Sequence, residues 1–381
     1  KSVIVKTNKD RLGESDEYFT IRLAEVSGID SVQYKSVRHV ISDGDKLKNN
    51  GDDTLYGTPG DDEIDGGPGN DTAVFSDSNN IIWLNRTAWQ NTGDGKDRLI
   101  SIENVDAGAG NDLLRGNKSA NILKGQSGND TILGGFGNDI IDGGEGIDTA
   151  KFLGYDNRID LSTTGWQNTG EGKDRLISIE NVLADSGNDY IIGNDAANTL
   201  KGMDGNDTFY GGMGNDIIDG GEGSDDTALF SNLNNFINLN FTGSQNTRDG
   251  KDVLISIENV KAGAGDDVVF GSSANNTLMG QDGNDRLYGN RGDDLLIGGG
   301  GKDKVWGQGG RDRFQIQRGK GHTIIQDFTD NQDKIYLPVN VEDVLMIKKN
   351  GNAFLYYGRD LMAKVIGAAG DLQPLGDKSL Y

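Results

Sequence analysis

The chain has 381 residues but no cysteine, only four prolines and only two histidines. Without cysteine there are no disulfide staples and no thiolate metal sites. Scarce proline, with no three-residue glycine period, excludes a collagen-like helix. No run of 18 apolar residues occurs, so no segment is read as a bilayer-spanning helix, and no secretory signal peptide is visible. The two histidines, His39 and His322, do not form H-E-x-x-H, and G-x-S-x-G is missing, so the zinc-protease site and the nucleophile elbow are both absent. Positive charge is short as well. Against 60 acidic residues stand 37 basic ones, a formal net charge of -23, which argues against nucleic acid and anionic membranes and suits a chain that meets cations. A hydrophobic fraction of 34% is low for one large core and favours thin, repetitive ones. The chain opens on Lys1, and the expectation is that it is part of something longer.

What is abundant is glycine, 59 residues, roughly twice the usual share. It recurs in step with aspartate every nine residues, in the pattern G-G-x-G-x-D-x-U-x with U apolar. Block one holds Asp53, Asp62 and Asp71; block two Asp112, Asn121, Asp130, Asp139 and Asp148. Block three holds Asp189, Asn198, Asp207, Asp216 and Asp225; block four Asp267, Asn276, Asp285, Asp294, Asp303 and Asp312. Ile64, Ile132, Ile141, Phe209, Ile218, Leu287, Leu296 and Val305 fall on U. A longer period of 77 or 78 residues overlies this one: DGKDRLISIENV at 94–105 returns as EGKDRLISIENV at 171–182 and DGKDVLISIENV at 249–260. The extra residue of the longer step lies near Asp225 and Asp226. A Gly/Asp-rich disordered linker would keep no register, whereas sixteen aspartates and three asparagines keep it here.

The geometry follows from the period. Six residues make a tight turn, in which glycine adopts angles that other residues resist. The remaining three make a short strand with U inward. Two nonapeptides complete a flattened coil of 18 residues, so aspartates 18 apart stack on one edge at about 4.8 Å, the spacing of adjacent strands. Calcium–oxygen bonds of about 2.4 Å let an ion between stacked turns reach a carboxylate from each, with turn carbonyls completing its shell. Without the ion, two carboxylates about 5 Å apart repel by roughly 3 kcal/mol at an effective dielectric near 20. The sequence therefore predicts an all-β parallel β-roll with two rows of calcium sites, many ions per chain, and folding linked to binding. Magnesium, which demands octahedral geometry, is a poor substitute.

These nonapeptides resemble the RTX, or hemolysin-type, calcium-binding repeats of proteins exported by Gram-negative bacteria, over about residues 46 to 337. The resemblance implies a parallel β-roll, calcium-driven folding outside the cell, type I secretion and an uncleaved C-terminal export signal. DRFQIQRGKGHTIIQDFTDNQDKIYLP at 312–338 looks like the segment that closes such rolls. DRLGESDEYFTIRLAEVSG at 10–28, followed by VRHVISDGD at 37–45, resembles the C-terminal part of a Calx-beta β-sandwich, with Asp10, Glu14, Asp16 and Glu17 at its acidic cluster.

The expected organisation is a Calx-beta-like part at 1–45, then repeat blocks at 46–75, 107–152, 184–228 and 262–315. Inserted strands separate them at 76–106, 153–183 and 229–261, and a β-rich cap with a possible secretion region fills 316–381. The inserts read as a wider coil or a hairpin extending from the roll. Glu103, Glu180 and Glu258 lie nine residues before Asp112, Asp189 and Asp267 and so occupy an aspartate slot; they are candidate ligands, with a solvated glutamate as the competing reading. Asp97, Asp174 and Asp252 sit in G-x-G-x-D turns and are weaker candidates. Trp89 and Trp166 are packing residues or a sugar-stacking pair on one flank; Ser244 replaces them in the third copy. Three roles compete: an adhesive or structural module of a large surface protein, an S-layer, sheath or filament subunit, and the export and folding module of a secreted enzyme. No catalytic residue is assigned. Candidate partners beyond calcium are surface glycans and other copies of the chain.

Overall fold

The computed structural model describes residues 38–40, 51–319, 321–329, 332–368, 372–376 and 378–380. Most nonapeptides start with a turn in which glycine holds a position that a side chain would not fit. Gly128, for example, has φ +129°, and a side chain there would run into the Gly110 carbonyl of the coil below. The turn ends on the aspartate, and a three-residue strand follows with its middle residue buried, as in Thr131–Leu133 or Thr208–Tyr210. Leu55, Ile64, Leu114, Leu123, Ile132, Ile141, Ile191, Leu200, Phe209 and Ile218 are all at most 1% exposed. One inward side chain per half-coil leaves a core only one residue wide.

Strands 18 residues apart pair in parallel, with Thr131 opposite Thr149 and Leu123 opposite Ile141. Successive strands alternate between two walls. Thr54–Tyr56, Thr72–Val74, Asn104–Asp106, Ile122–Ser127, Ile140–Glu145 and Lys173–Ile177 follow one another in the first wall. Leu113–Arg115, Thr131–Leu133, Thr149–Lys151, Asn181–Leu183 and Thr199–Asp204 run in the second. The fold is an all-β parallel roll.

The inserts lie within the walls. In the first, Ile81–Trp83 begins a new run of parallel strands, Gln90–Asn91 turns back, and Lys96–Ile100 pairs antiparallel with it while closing the run begun by Glu63–Asp65. The second insert repeats this with Arg158–Asp160, Gln167–Asn168 and Lys173–Ile177, the third with Phe236–Asn238, Gln245–Asn246 and Lys251–Ile255. The first and third interrupt the second wall, and the middle one interrupts the first wall. Five nonapeptide slots stand between inserts (Asp112 to Asp148, for example), and an odd number of half-coils returns the chain to the opposite wall.

Three antiparallel strands, Val344–Lys349, Asn352–Tyr357 and Asp360–Val365, form the C-terminal end and join the roll where Thr323 to Ile325 pair in parallel with Ala363 to Val365. The Calx-beta-like reading falls outside the described residues except at Arg38–Val40, whose backbone pairs in parallel with Thr54–Tyr56.

Candidate metal centre

Because every turn ends just before a strand begins, its aspartate is fixed at the edge of a wall. There the carboxylates form ladders. The amide of each register residue donates to the Oδ1 of the next one up: Asp112 to Asp130 at 2.7 Å, Asp130 to Asp148 at 2.8 Å, Asp189 to Asp207 at 2.8 Å, Asp267 to Asp285 at 2.9 Å and Asp294 to Asp312 at 3.0 Å. Asp53 donates in the same way to Asp71, Asp62 to Asp97, and Asp285 to Asp303.

One amide serves one carboxylate oxygen. The other has nothing. Oδ2 of Asp71, Asp112, Asp130, Asp139, Asp148, Asp189, Asp207, Asp216, Asp267, Asp285, Asp294, Asp303 and Asp312 is buried without a hydrogen-bond partner. Asp62 differs, since its Oδ2 accepts from the Thr58 amide and hydroxyl. Burial drives the orphaned carboxyls upward: Asp139, Asp207, Asp216, Asp267 and Asp294 to about 7, and Asp285 to about 8. The backbone donors pull the other way, and neighbouring carboxylates add to the rise. A buried anionic oxygen without a partner is costly. The described ion pairs, Arg98 with Glu63 and Lys201 with Asp219, involve no ladder carboxylate. A hard divalent cation is the partner that suits a row of paired carboxylates amid bare turn carbonyls. Among the described residues no three acidic or imidazole side chains converge as a metal cluster, so such an ion must draw much of its shell from backbone carbonyls.

The glutamates stand in the ladders. Oε2 of Glu103, Glu180 and Glu258 accepts from the amides of Asp71, Asp148 and Asp226 at 2.8–3.0 Å. One expectation needs correction. Asp225 does not hold the last slot of block three. It is exposed, while Asp226 is fully buried, accepts from the Asp207 amide at 2.7 Å and leaves its Oδ2 orphaned. Register is counted back from the strand, and Thr227 pairs with Thr208, so the extra residue is absorbed in the turn. Asn121, Asn198 and Asn276 lie in their slots, but hydrogen bonds engage both ends of each amide. Oδ1 accepts from the backbone amide four residues earlier at 2.6–2.8 Å, and Nδ2 donates to the carbonyl of Glu103, Glu180 or Glu258 at 2.7–2.8 Å. These asparagines tie coil to coil by hydrogen bonds and do not present an orphaned oxygen to an ion.

Sequence reasoning also passed over ladder members. Asp333 accepts from the Asp312 amide at 2.9 Å, 21 residues on, where the nine-residue period has lapsed. Asn80, Asn157 and Asn235 lie nine residues after Asp71, Asp148 and Asp226, a signal that was available. Asp97, Asp174 and Asp252, the weaker candidates of the sequence, are ladder ends whose Oδ2 takes the hydroxyl of Thr92, Thr169 or Thr247. Trp89 and Trp166, 48% and 57% exposed, belong to inserts on opposite walls and form no shared flank.

Comparison with known proteins agrees with the ladders. The model of the RTX calcium-binding nonapeptide repeat matches residues 49–82, 102–132, 115–150, 179–200, 192–226, 257–287 and 279–314. Serralysin of Photorhabdus laumondii subsp. laumondii is 47% identical over 61 residues, 14% of this chain and 13% of that protein. Serralysin of Photorhabdus luminescens is 44% identical over the same length and shares. The match thus spans about an eighth of these curated relatives. The crystal structure of the extracellular lipase LipA from Serratia marcescens aligns over 48% of this chain and 38% of the lipase, at 20% identity and a TM-score of 0.24. The four blocks of this chain are RTX calcium-binding nonapeptide repeats.

Proposed function

We propose that this chain is the calcium-folded structural or adhesive part of a larger bacterial protein, secreted by the type I route and working outside the cell or on its surface. The observation that carries the reading is the row of buried, orphaned Oδ2 atoms, which makes a stable roll conditional on calcium. Calcium is scarce in the cytosol and plentiful outside, so a chain built this way stays exportable inside and becomes rigid on arrival. We further propose that it carries no catalysis of its own: its carboxylates are held in hydrogen-bonded ladders, and its two histidines are isolated in sequence. The Calx-beta-like segment at 1–45 would be the end of an upstream module of the same protein.

A second reading is favoured by the likeness to serralysin. There the chain is the C-terminal folding and export module of a secreted enzyme. Sedimentation velocity and binding to immobilised glycans, each with calcium and with chelator, separate the two. The adhesive or structural reading expects self-association or glycan binding in calcium alone. A calcium-loaded chain that stays monomeric and binds nothing supports the export module.

A further inference from the structure

Charge is spread unevenly along the chain. Residues 51–261 carry 36 acidic against 14 basic side chains, whereas residues 262–381 carry 16 against 14. Ladder carboxylates, given over to calcium, account for 17 of the first group and 6 of the second. What remains is 19 acidic to 14 basic in the first stretch and 10 to 14 in the second. With its ions in place, the chain has an acidic body and a basic end.

Basic side chains of that end gather on one face. Strand pairing sets Arg286 opposite Lys304 and Lys302 opposite His322, with Lys304 and Lys364 on either side of Ile324. Leu287, Val305, Ile325 and Val365 point inward, so alternation turns these cations outward from neighbouring strands. Arg286, Lys302 and Lys304 are exposed; Lys364 is half-buried, with its ammonium 5.7 Å from the centre of the Phe354 ring. No carboxylate occupies an outward position of Arg286–Tyr288, 302–306 or Gly321–Ile325. Neither of the described ion pairs involves these four cations. Burial and the charges of Lys302 and Lys364 together hold His322 below its usual pKa, as expected where cations crowd without a counter-ion.

The complement lies on block three. Asp185, Asp204, Glu222 and Asp225 are exposed in three successive turns along one edge. Asp204 stands in register with Glu222, and its amide donates to the Asp185 carbonyl at 3.0 Å, so the turns stack directly. None of the four takes part in a described ion pair, and none belongs to a calcium ladder. Stacked coils repeat at about 4.8 Å in ridge and face alike, so the two rows of charge share a pitch. The strands that follow the ridge and the strands of the face lie in opposite walls, so one chain cannot pair the two within itself.

We propose that the basic face of Arg286, Lys302, Lys304 and Lys364 docks on the acidic ridge of Asp185, Asp204, Glu222 and Asp225 of a second copy of this chain. The two surfaces differ, so the contact is heterologous. It leaves a free face at one end and a free ridge at the other, and it extends into a row of chains. The inference rests on the structural reading of the chain and names its partner and its contact. Calcium acts twice here: it folds both surfaces, and it removes the surplus negative charge that would push acidic bodies apart.

Sedimentation velocity of the calcium-loaded full-length chain tests it. Association should appear at low salt and fade at high salt. Lys302→Glu with Lys304→Glu, and separately Asp204→Lys with Glu222→Lys, should each weaken association by about tenfold or more while keeping the wild-type circular dichroism in calcium. Should the first pair fail to fold, Lys302→Gln with Lys304→Gln neutralises the same face. An equimolar mixture of the two reversed variants should associate again, because the intact face of one meets the intact ridge of the other. A merely damaged fold would give no such rescue. The inference is overturned if the folded wild-type chain stays monomeric at low salt, or if the mixture does not recover. Binding of a monomeric chain to hyaluronan or to phosphatidylglycerol vesicles, lost on reversing Lys302 and Lys304, would also overturn it and give the face to an outside polyanion. Association that survives both charge reversals would refute this contact and leave the structural role standing. A folded chain that neither associates nor binds any glycan would refute both.

Discussion

The repeat blocks and the C-terminal end are both antiparallel or parallel β-structure of short strands, yet they are stabilised by different means. In the blocks most half-coils bury one apolar side chain and one carboxylate, such as Ile141 beside Asp139. Burial is gained and charge is stranded in the same step. In the C-terminal end the strands Asn352–Tyr357 and Asp360–Val365 bury Ala353, Leu355, Met362, Ala363 and Val365 with no orphaned carboxylate among the described residues. The first kind of structure needs an external cation to be neutral. The second is complete with its own side chains. The roll should therefore depend on calcium for its stability, whereas the end should stand without it and offer a surface against which coils can stack.

The largest effect that could break this contrast is chelation. Removing calcium should abolish most of the strand signal in far-ultraviolet circular dichroism, while amides in 352–365 keep hydrogen-exchange protection. Equal spectra with and without calcium would refute the dependence; equal loss of protection in both regions would refute the contrast.

Acid comes next. Burial holds Asp139 and Asp207 at about 7 in the fold and Asp285 at about 8, against about 3.9 in an unfolded chain. Their folded values are raised, so the empty fold gains stability by holding protons. That gain is full below about pH 4 and is lost as pH rises through about 7 to 8. The calcium-free chain should therefore recover strand content at pH 5 relative to pH 8, and calcium should bind more weakly at pH 6 than at pH 8 because protons compete for the same oxygens. Circular dichroism and calcium titration across pH 5–8 read both; a flat profile would contradict the buried ladder.

Deleting residues 338–381 tests the end as a support for the roll. Ile325 and Ile335, now fully buried, would lose neighbours. The calcium midpoint for folding should rise a few-fold, as linkage requires when the folded state is weakened. An unchanged midpoint would show that the coils start elsewhere.

The smallest effect is expected at Trp166. It is 57% exposed, and Trp166→Ala should alter the thermal midpoint in calcium by no more than about 0.5 kcal/mol of stability. A larger loss would mean that the insert loop packs against a surface, and would reopen its role as a contact residue. Sugar stacking draws no support from the best-formed aromatic row, Phe270, Tyr288 and Trp306, whose rings lie 4.3–4.5 Å apart and nearly parallel, so each covers its neighbour's face.

The nine-residue period by itself determined the roll, the inward apolar row and the stacking of aspartates, because strand alternation and an 18-residue coil leave no other register for Ile132, Ile141 and Asp130. It also made Glu103, Glu180 and Glu258 candidates for the aspartate rows by their offset alone, and the backbone amides they accept put them there. The tertiary structure decided what a period cannot express. Asp226 displaced Asp225 because register is set by the pairing of Thr227 with Thr208, and the turn absorbs the spare residue. Asp333 joined a ladder 21 residues on because a longer loop still delivers its chain to the same edge. The two kinds of asparagine look alike in sequence. Only the surrounding groups show Oδ1 of Asn121, Asn198 and Asn276 accepting a backbone amide, and Oδ1 of Asn80, Asn157 and Asn235 buried without a partner, because a hydrogen bond depends on where the partner stands in space and not on its distance along the chain.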